Sequence, residues 1–125
     1  MIIHFTKREF KAMRDELSAY AFLALLRKLP MERGDAIFMI ARRCDDLSYG
    51  AVRDWEKQGI PRKHAVVLAD LAKEYGVKMY LHQFRPTRAI VHQWLMYCFE
   101  ADKHLPPTKQ LFKHWEMGLK TERVA

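Results

Sequence analysis

Residues 6–30 impose a long helix on this chain. Thr6 followed by Glu9 three positions later forms a capping-box signature. Phe10, Met13, Leu17, Ala21 and Ala24 then recur at helical spacing. Leu29-Pro30 ends the pattern. Towards the end the apolar stripe widens to AYAFLALL, residues 19–26. A helix that is apolar on several sides must be covered on several sides, so the rest of the chain is expected to pack around it.

The remaining segments also read as helices. The chain has no Asn, Ser only at positions 18 and 48, and five each of Gly and Pro. That is too few turn formers for a sandwich or barrel. A second helix is expected over 33–43, with Ala36, Ile37, Ile40, Ala41 and Cys44 on its apolar face and Asp45-Asp46 as the turn after it. A third follows Ser48 and ends at Gln58-Gly59. A fourth runs from Pro61 to Tyr75 on the stripe Ala65, Leu68, Ala69 and Ala72, with Gly76 as its stop. Residues 77–84 fit an extended segment, a hairpin arm or irregular chain. A fifth helix is expected from Thr87 to Lys103 and a sixth from Pro107 or Thr108 to Gly118. The expected fold is therefore all-α: one domain over 1–125, about six helices around one core, a central helix-turn-helix at 33–76 and a helical extension at 87–118.

The net charge of +7 favours a polyanionic partner, but it is unevenly placed. Residues 1–43 carry nine basic and five acidic residues, residues 44–76 five and six, and residues 77–125 eight and four. The positive excess lies on the flanks, which would then supply much of any phosphate attraction. Cys44 and Cys98, the two cysteines, sit in apolar helical contexts and read as buried thiols of a cytoplasmic protein. The N-terminus lacks the pattern of a signal peptide, and the longest apolar run, 19–26, is far short of a bilayer span.

The segment LSYGAVRDWEKQGIP, residues 47–61, carries the functional signal. Ser48 is a good N-cap. Val52 and Trp55 are three apart and face one side. Tyr49, Gly50, Arg53 and Lys57 face the other. Small, polar and cationic residues held from behind by apolar ones suit insertion into the major groove of double-stranded DNA. Gly50 is a poor helix former, which hints at a close approach to the backbone there. Arg62 and Lys63 open the next helix, where the dipole also favours phosphate.

This stretch resembles the phage Cro-type and related short repressors of bacteria and phages. Their recognition helix and its exit read roughly Ser-x-x-Ala-Val-x-x-Trp and then Gly-Ile-Pro. Ser48, Ala51, Val52, Trp55, Gly59, Ile60 and Pro61 occupy those places, and Gly76 and Arg85-Pro86 echo the sequel. The resemblance spans about residues 35–86. It implies a sequence-specific transcriptional regulator, usually a repressor that binds its operator as a homodimer. Ser48, Tyr49, Gly50, Arg53, Lys57, Arg62 and Lys63 are the candidate DNA-binding residues. Two departures stand out. The turn before Ser48 carries an acidic pair and one residue extra, and some forty residues follow the family's usual end.

No other chemistry stands out. His92, Cys98 and His104 are six apart, which places them on different faces of a helix, and the four-residue His spacing of a helical zinc motif is absent. The adjacent carboxylates Asp15-Glu16 and Asp45-Asp46 diverge on a helix, and no phosphate loop or nucleophile elbow occurs. Neither an enzyme nor a cofactor or metal is expected. The aromatic residues of the extension read as packing residues. Ile90, Trp94, Leu95 and Cys98 are the candidate interface for a homodimer or for a protein partner. An alternative reading is a phage-encoded inhibitor or antitoxin-like protein acting through those C-terminal helices.

Overall fold

A computed structural model describes residues 4–98 of the chain. Every regular element in that range is helical: α1 (Lys7–Lys28), α2 (Arg33–Arg43), α3 (Tyr49–Arg53), α4 (Trp55–Gln58), α5 (Arg62–Glu74), α6 (Leu81–Phe84) and α7 (Arg88–Cys98). With α3 and α4 taken as one helix broken at Asp54, these residues form six helices. The helix expected at 107–118, and residues 99–103 of the one before it, lie outside the described residues.

α1 is the centre of the fold. Thr6 caps it: its hydroxyl accepts from the Glu9 N–H at 3.0 Å, and the Glu9 carboxylate accepts from the Thr6 N–H at 2.8 Å. Leu17, Ala21, Phe22 and Leu25 have no exposed surface, and Met13, Ala19, Ala24 and Leu26 are also buried. Helices α2, α4, α6 and α7 all pack against it. The widened stripe is largely covered: among residues 19–26 only Tyr20 and Leu23 are partly exposed.

α2 buries Ala36, Ile37, Ile40 and Ala41, the expected face, and Cys44 behind it. The turn that follows places both Asp45 (φ 58°) and Asp46 (φ 53°) in the left-handed region. Asp tolerates that region better than most residues because its short side chain can bond locally. The two reversals let the Leu47 N–H reach back to the Ala41 carbonyl at 3.0 Å.

The helix expected after Ser48 is not continuous. It breaks at Asp54, which separates α3 from α4. The Asp54 N–H still bonds the Gly50 carbonyl at 3.1 Å, but the Lys57 N–H turns to the Asp54 carbonyl at 3.1 Å, a tighter three-residue closure. Pro61 also differs from expectation. It is the N-cap of α5 rather than its first helical residue, with extended backbone at ψ 149°. α5 ends as its glycine predicts. Gly76 (φ 69°) bonds the Lys73 carbonyl and Val77 bonds the Ala72 carbonyl, the paired closure of a Schellman motif. Of the three readings open for 77–84, none fits fully: four residues without regular structure lead into the single turn of α6. α7 starts one residue after Thr87, whose hydroxyl accepts from the Ile90 N–H at 3.3 Å.

A buried polar junction ties these pieces together. The Ser18 hydroxyl, on α1, donates to the Phe84 carbonyl at the end of α6 and accepts from the Ile60 N–H at 2.8 Å. The Arg85 guanidinium donates to the Ile60 carbonyl at 3.0 Å. Burial, then the nearby Arg14 charge, lowers the Arg85 pKa from its ordinary value. Between α4 and Ile60, Gly59 (φ 85°) rests on α1 so closely that a Cβ there would lie 2.8 Å from the Asp15 carbonyl oxygen. Only glycine suits both that conformation and that contact.

Replacing Ser18 with Ala would strip the Ile60 N–H and the Phe84 carbonyl of their shared partner. Each buried group so orphaned costs about 1–3 kcal/mol. The expected outcome is a lowered urea midpoint with an unchanged denaturant slope. A variant with the native midpoint would show that the junction contributes nothing to stability.

Candidate nucleic-acid interface

Residues 47–63 form a short helical surface supported entirely from behind. Val52 (no exposed surface) and Trp55 (4% exposed) are the supports. The Trp55 indole meets the Phe22 ring of α1 edge-on, with centroids 5.7 Å apart, and stacks on the His64 ring of α5 at 5.5 Å. One large ring thus fixes α4 against both α1 and α5. Ile60 and Gly59, both buried, then pin the exit. Ser48 caps the front, its hydroxyl accepting from the Ala51 N–H at 3.1 Å.

The expected site residues do not all share one setting. Arg53 and Lys57 are exposed, as are Ser48, Arg62 and Lys63. Tyr49 is only half exposed. It leans back on α2, its ring 5.2 Å from that of Phe38 and its hydroxyl near Gly34. It is therefore a shoulder of the surface rather than a freely projecting residue. Gly50 is half-buried, yet a Cβ there would meet only the Arg53 guanidinium, at 3.9 Å. No part of the described chain requires a glycine at that position.

The charges partly cancel one another. Asp45 lies 3.4 Å from the Lys63 ammonium, and both are exposed. Arg53 lies 3.8 Å from Asp54. Arg33 pairs with Glu56 across α2 and α4, and Arg43 pairs with Glu74 across α2 and α5. These contacts are solvent-exposed on at least one side and contribute little stability. Their main effect is on the potential. The acidic turn neutralises a cation at the start of α5, and residues 44–76 carry one more acid than base overall. Arg62 and Lys63 nonetheless sit where a helix repels cations, at an N-terminus whose Pro61 cap offers no side-chain acceptor.

Two residues of this region escaped the sequence reading. His64 is 4% exposed, beneath Trp55. Its signal was its place four residues before Leu68 on the buried stripe. Phe38 is 61% exposed, an apolar residue off the apolar face of α2, and that displacement was its signal. Cys44 is buried as expected, and burial, aided by Asp45, pushes its thiol pKa up to about 11. Of the candidate interface residues, Ile90 is half-buried against the chain's own core. The side chains of Trp94, Leu95 and Cys98 lie outside the described residues.

No group of three His, Cys, Asp or Glu side chains among the described residues is arranged to hold a metal ion. No helix among them is long and apolar enough to cross a membrane. No protein-family model, curated protein or solved structure matches the chain.

Two outcomes follow from the Trp55 support. Trp55→Ala should destabilise the domain by about 3–5 kcal/mol, the usual cost of emptying a buried aromatic site. Unchanged thermal melting would place the ring outside the core. The second concerns pH. Burial, then the Lys63 charge, lowers the His64 pKa from its ordinary value, while Asp45 opposes that shift. The unfolded chain therefore takes up this proton at about pH 6.5, where the folded chain resists it. Stability from this source is complete above that pH and falls as the pH drops towards the folded value. His64→Phe should flatten that part of the profile. Identical urea midpoints for the native protein at pH 7.5 and 5.5 would contradict it.

Proposed function

We propose that this protein is a sequence-specific regulator of transcription that binds double-stranded DNA, with α2 and the α3–α4 pair acting as a helix-turn-helix. The observation that carries the reading is the two-sided construction of residues 48–58. A capped helix far too short to stand alone is fixed from behind by Val52 and Trp55, and its front is left with Arg53 and Lys57 exposed. Arg53 suits a bidentate contact to guanine, and Lys57 suits a base edge or a nearby phosphate. Ser48, Arg62 and Lys63 suit phosphates, the last two at the α5 N-terminus, where an anion would relieve their unfavourable placement. In this reading the protein represses from an operator as a homodimer. The extension from 87 onward joins the two copies and spaces their reading helices about 34 Å apart.

One observation favours a second reading. The acidic turn at Asp45-Asp46 and the near-neutral balance of residues 44–76 also suit a protein that docks only on another protein, as a phage-encoded inhibitor or an antitoxin-like protein would. Salt separates the two readings. Several phosphate contacts make affinity for bulk duplex fall steeply with salt.

Arg53→Ala should leave melting unchanged and abolish the preference for a selected duplex over a scrambled one. One bidentate contact is worth about 1–3 kcal/mol of that preference. Paired titrations of the two duplexes give the ratio directly. A ratio equal to that of the native protein would remove Arg53 from the reading surface.

A further inference from the structure

Phe38 is the most exposed large apolar side chain among the described residues, at 61%. It stands on the outer face of α2, one turn before the exposed Arg42. Its ring lies 5.2 Å from that of Tyr49, tilted by 52°. Tyr49 is the first residue of α3, and its hydroxyl lies beside Gly34, one turn before Phe38 on α2. The two rings therefore form one apolar ridge that runs from α2 onto the front of the Ser48-capped helix. Arg42 stands one turn after Phe38 on α2 and Arg53 one turn after Tyr49 on α3, while Asp35 lines the same surface as Phe38, Met39, Arg42 and Arg43. An apolar ridge with a guanidinium one helical turn from each ring fits a ligand that sets apolar points beside anionic groups. The major groove of DNA is such a surface, with the 5-methyl groups of thymine between two rows of phosphates.

We infer that Phe38 and Tyr49 are specificity-determining residues that read thymine methyl groups in the major groove. The inference rests on the DNA-binding reading and adds to it a base that the cationic residues cannot recognise. Arg53 would select guanine by hydrogen bonds. The ridge would select thymine by burying a methyl group, and it would tolerate 5-methylcytosine, which presents the same group. Phe38 has no structural need for its ring, because more than half of it faces solvent.

The test begins with duplex selection from a randomised library, using the full chain. Each thymine of the selected site is then replaced singly by deoxyuridine, which removes only the methyl group. At one or two positions the native protein should lose affinity about fourfold, the worth of one buried methyl. Phe38→Ala should bind the thymine and deoxyuridine duplexes at those positions equally, and Phe38→Leu should restore part of the difference. Circular dichroism melts of both variants should match the native protein, since the ring is exposed. If the native protein discriminates at no thymine, or if Phe38→Ala discriminates as well as the native protein, the inference fails while DNA binding stands. If no duplex is enriched and binding to bulk duplex is insensitive to salt, the DNA-binding reading fails and the inference fails with it. The ridge would then belong to a protein interface.

Discussion

The Ser18 hydroxyl is the point on which the arrangement of helices depends. It is buried in the middle of α1, where a polar group must be satisfied or cost stability. Its two partners are backbone groups 42 and 66 residues away. One fixes the strand-like exit of α4 and the other fixes the end of α6. Arg85 closes the same junction from the far side by bonding the Ile60 carbonyl. Two chain segments without long helices of their own are thus registered against the one long helix. The Gly59 backbone seated on α1 makes that registration close. Trp55 then needs only to fill the space that these contacts define.

The periodic parts of this fold were legible in the sequence. α1, α2 and α5 each carry an apolar stripe, and the ends of α1 and α5 carry a cap and a stop signal that behave as their chemistry dictates. The break at Asp54 was not legible. Arg53, Asp54 and Trp55 all fit a continuous helix by propensity, and the break falls one residue before Trp55, whose ring packs on both Phe22 and His64. The role of Ser18 was hidden for a similar reason: its partners are distant in sequence and are backbone groups, which carry no residue signature. Its rarity was the available clue, because the only other serine is the cap at position 48. In the candidate site, Arg53 and Lys57 emerged where helical spacing placed them. Tyr49 did not, because spacing cannot show that an exposed Phe38 waits beside it.

Charge follows a different logic from packing in this molecule. Three cations on or beside the surface of residues 47–63 have an acid close by: Asp54 for Arg53, Asp45 for Lys63 and Glu56 for Arg33. Such pairing lowers the attraction for any polyanion, specific or not. By sequence, the net positive charge lies in residues 1–43 and 77–125. For a DNA-binding protein, this division would leave discrimination to the centre and bulk attraction to the flanks. Weak attraction at the centre also limits how strongly an incorrect sequence is held, since phosphate contacts carry no sequence information.

α3 has five residues and α4 has four. Helices of that length do not persist in water, where roughly 12–15 residues are marginal even for favourable sequences. The surface of residues 48–58 is therefore a tertiary object: its shape is stored in α1, α5 and the Ser18 junction rather than in those residues themselves. It has no portability as a peptide. A graft of this segment onto another scaffold would transfer its side chains without their directions. Within the native scaffold the reverse holds, because Arg53 and Lys57 carry no part of the packing. Those two positions can be rewritten freely while the frame that aims them stays the same.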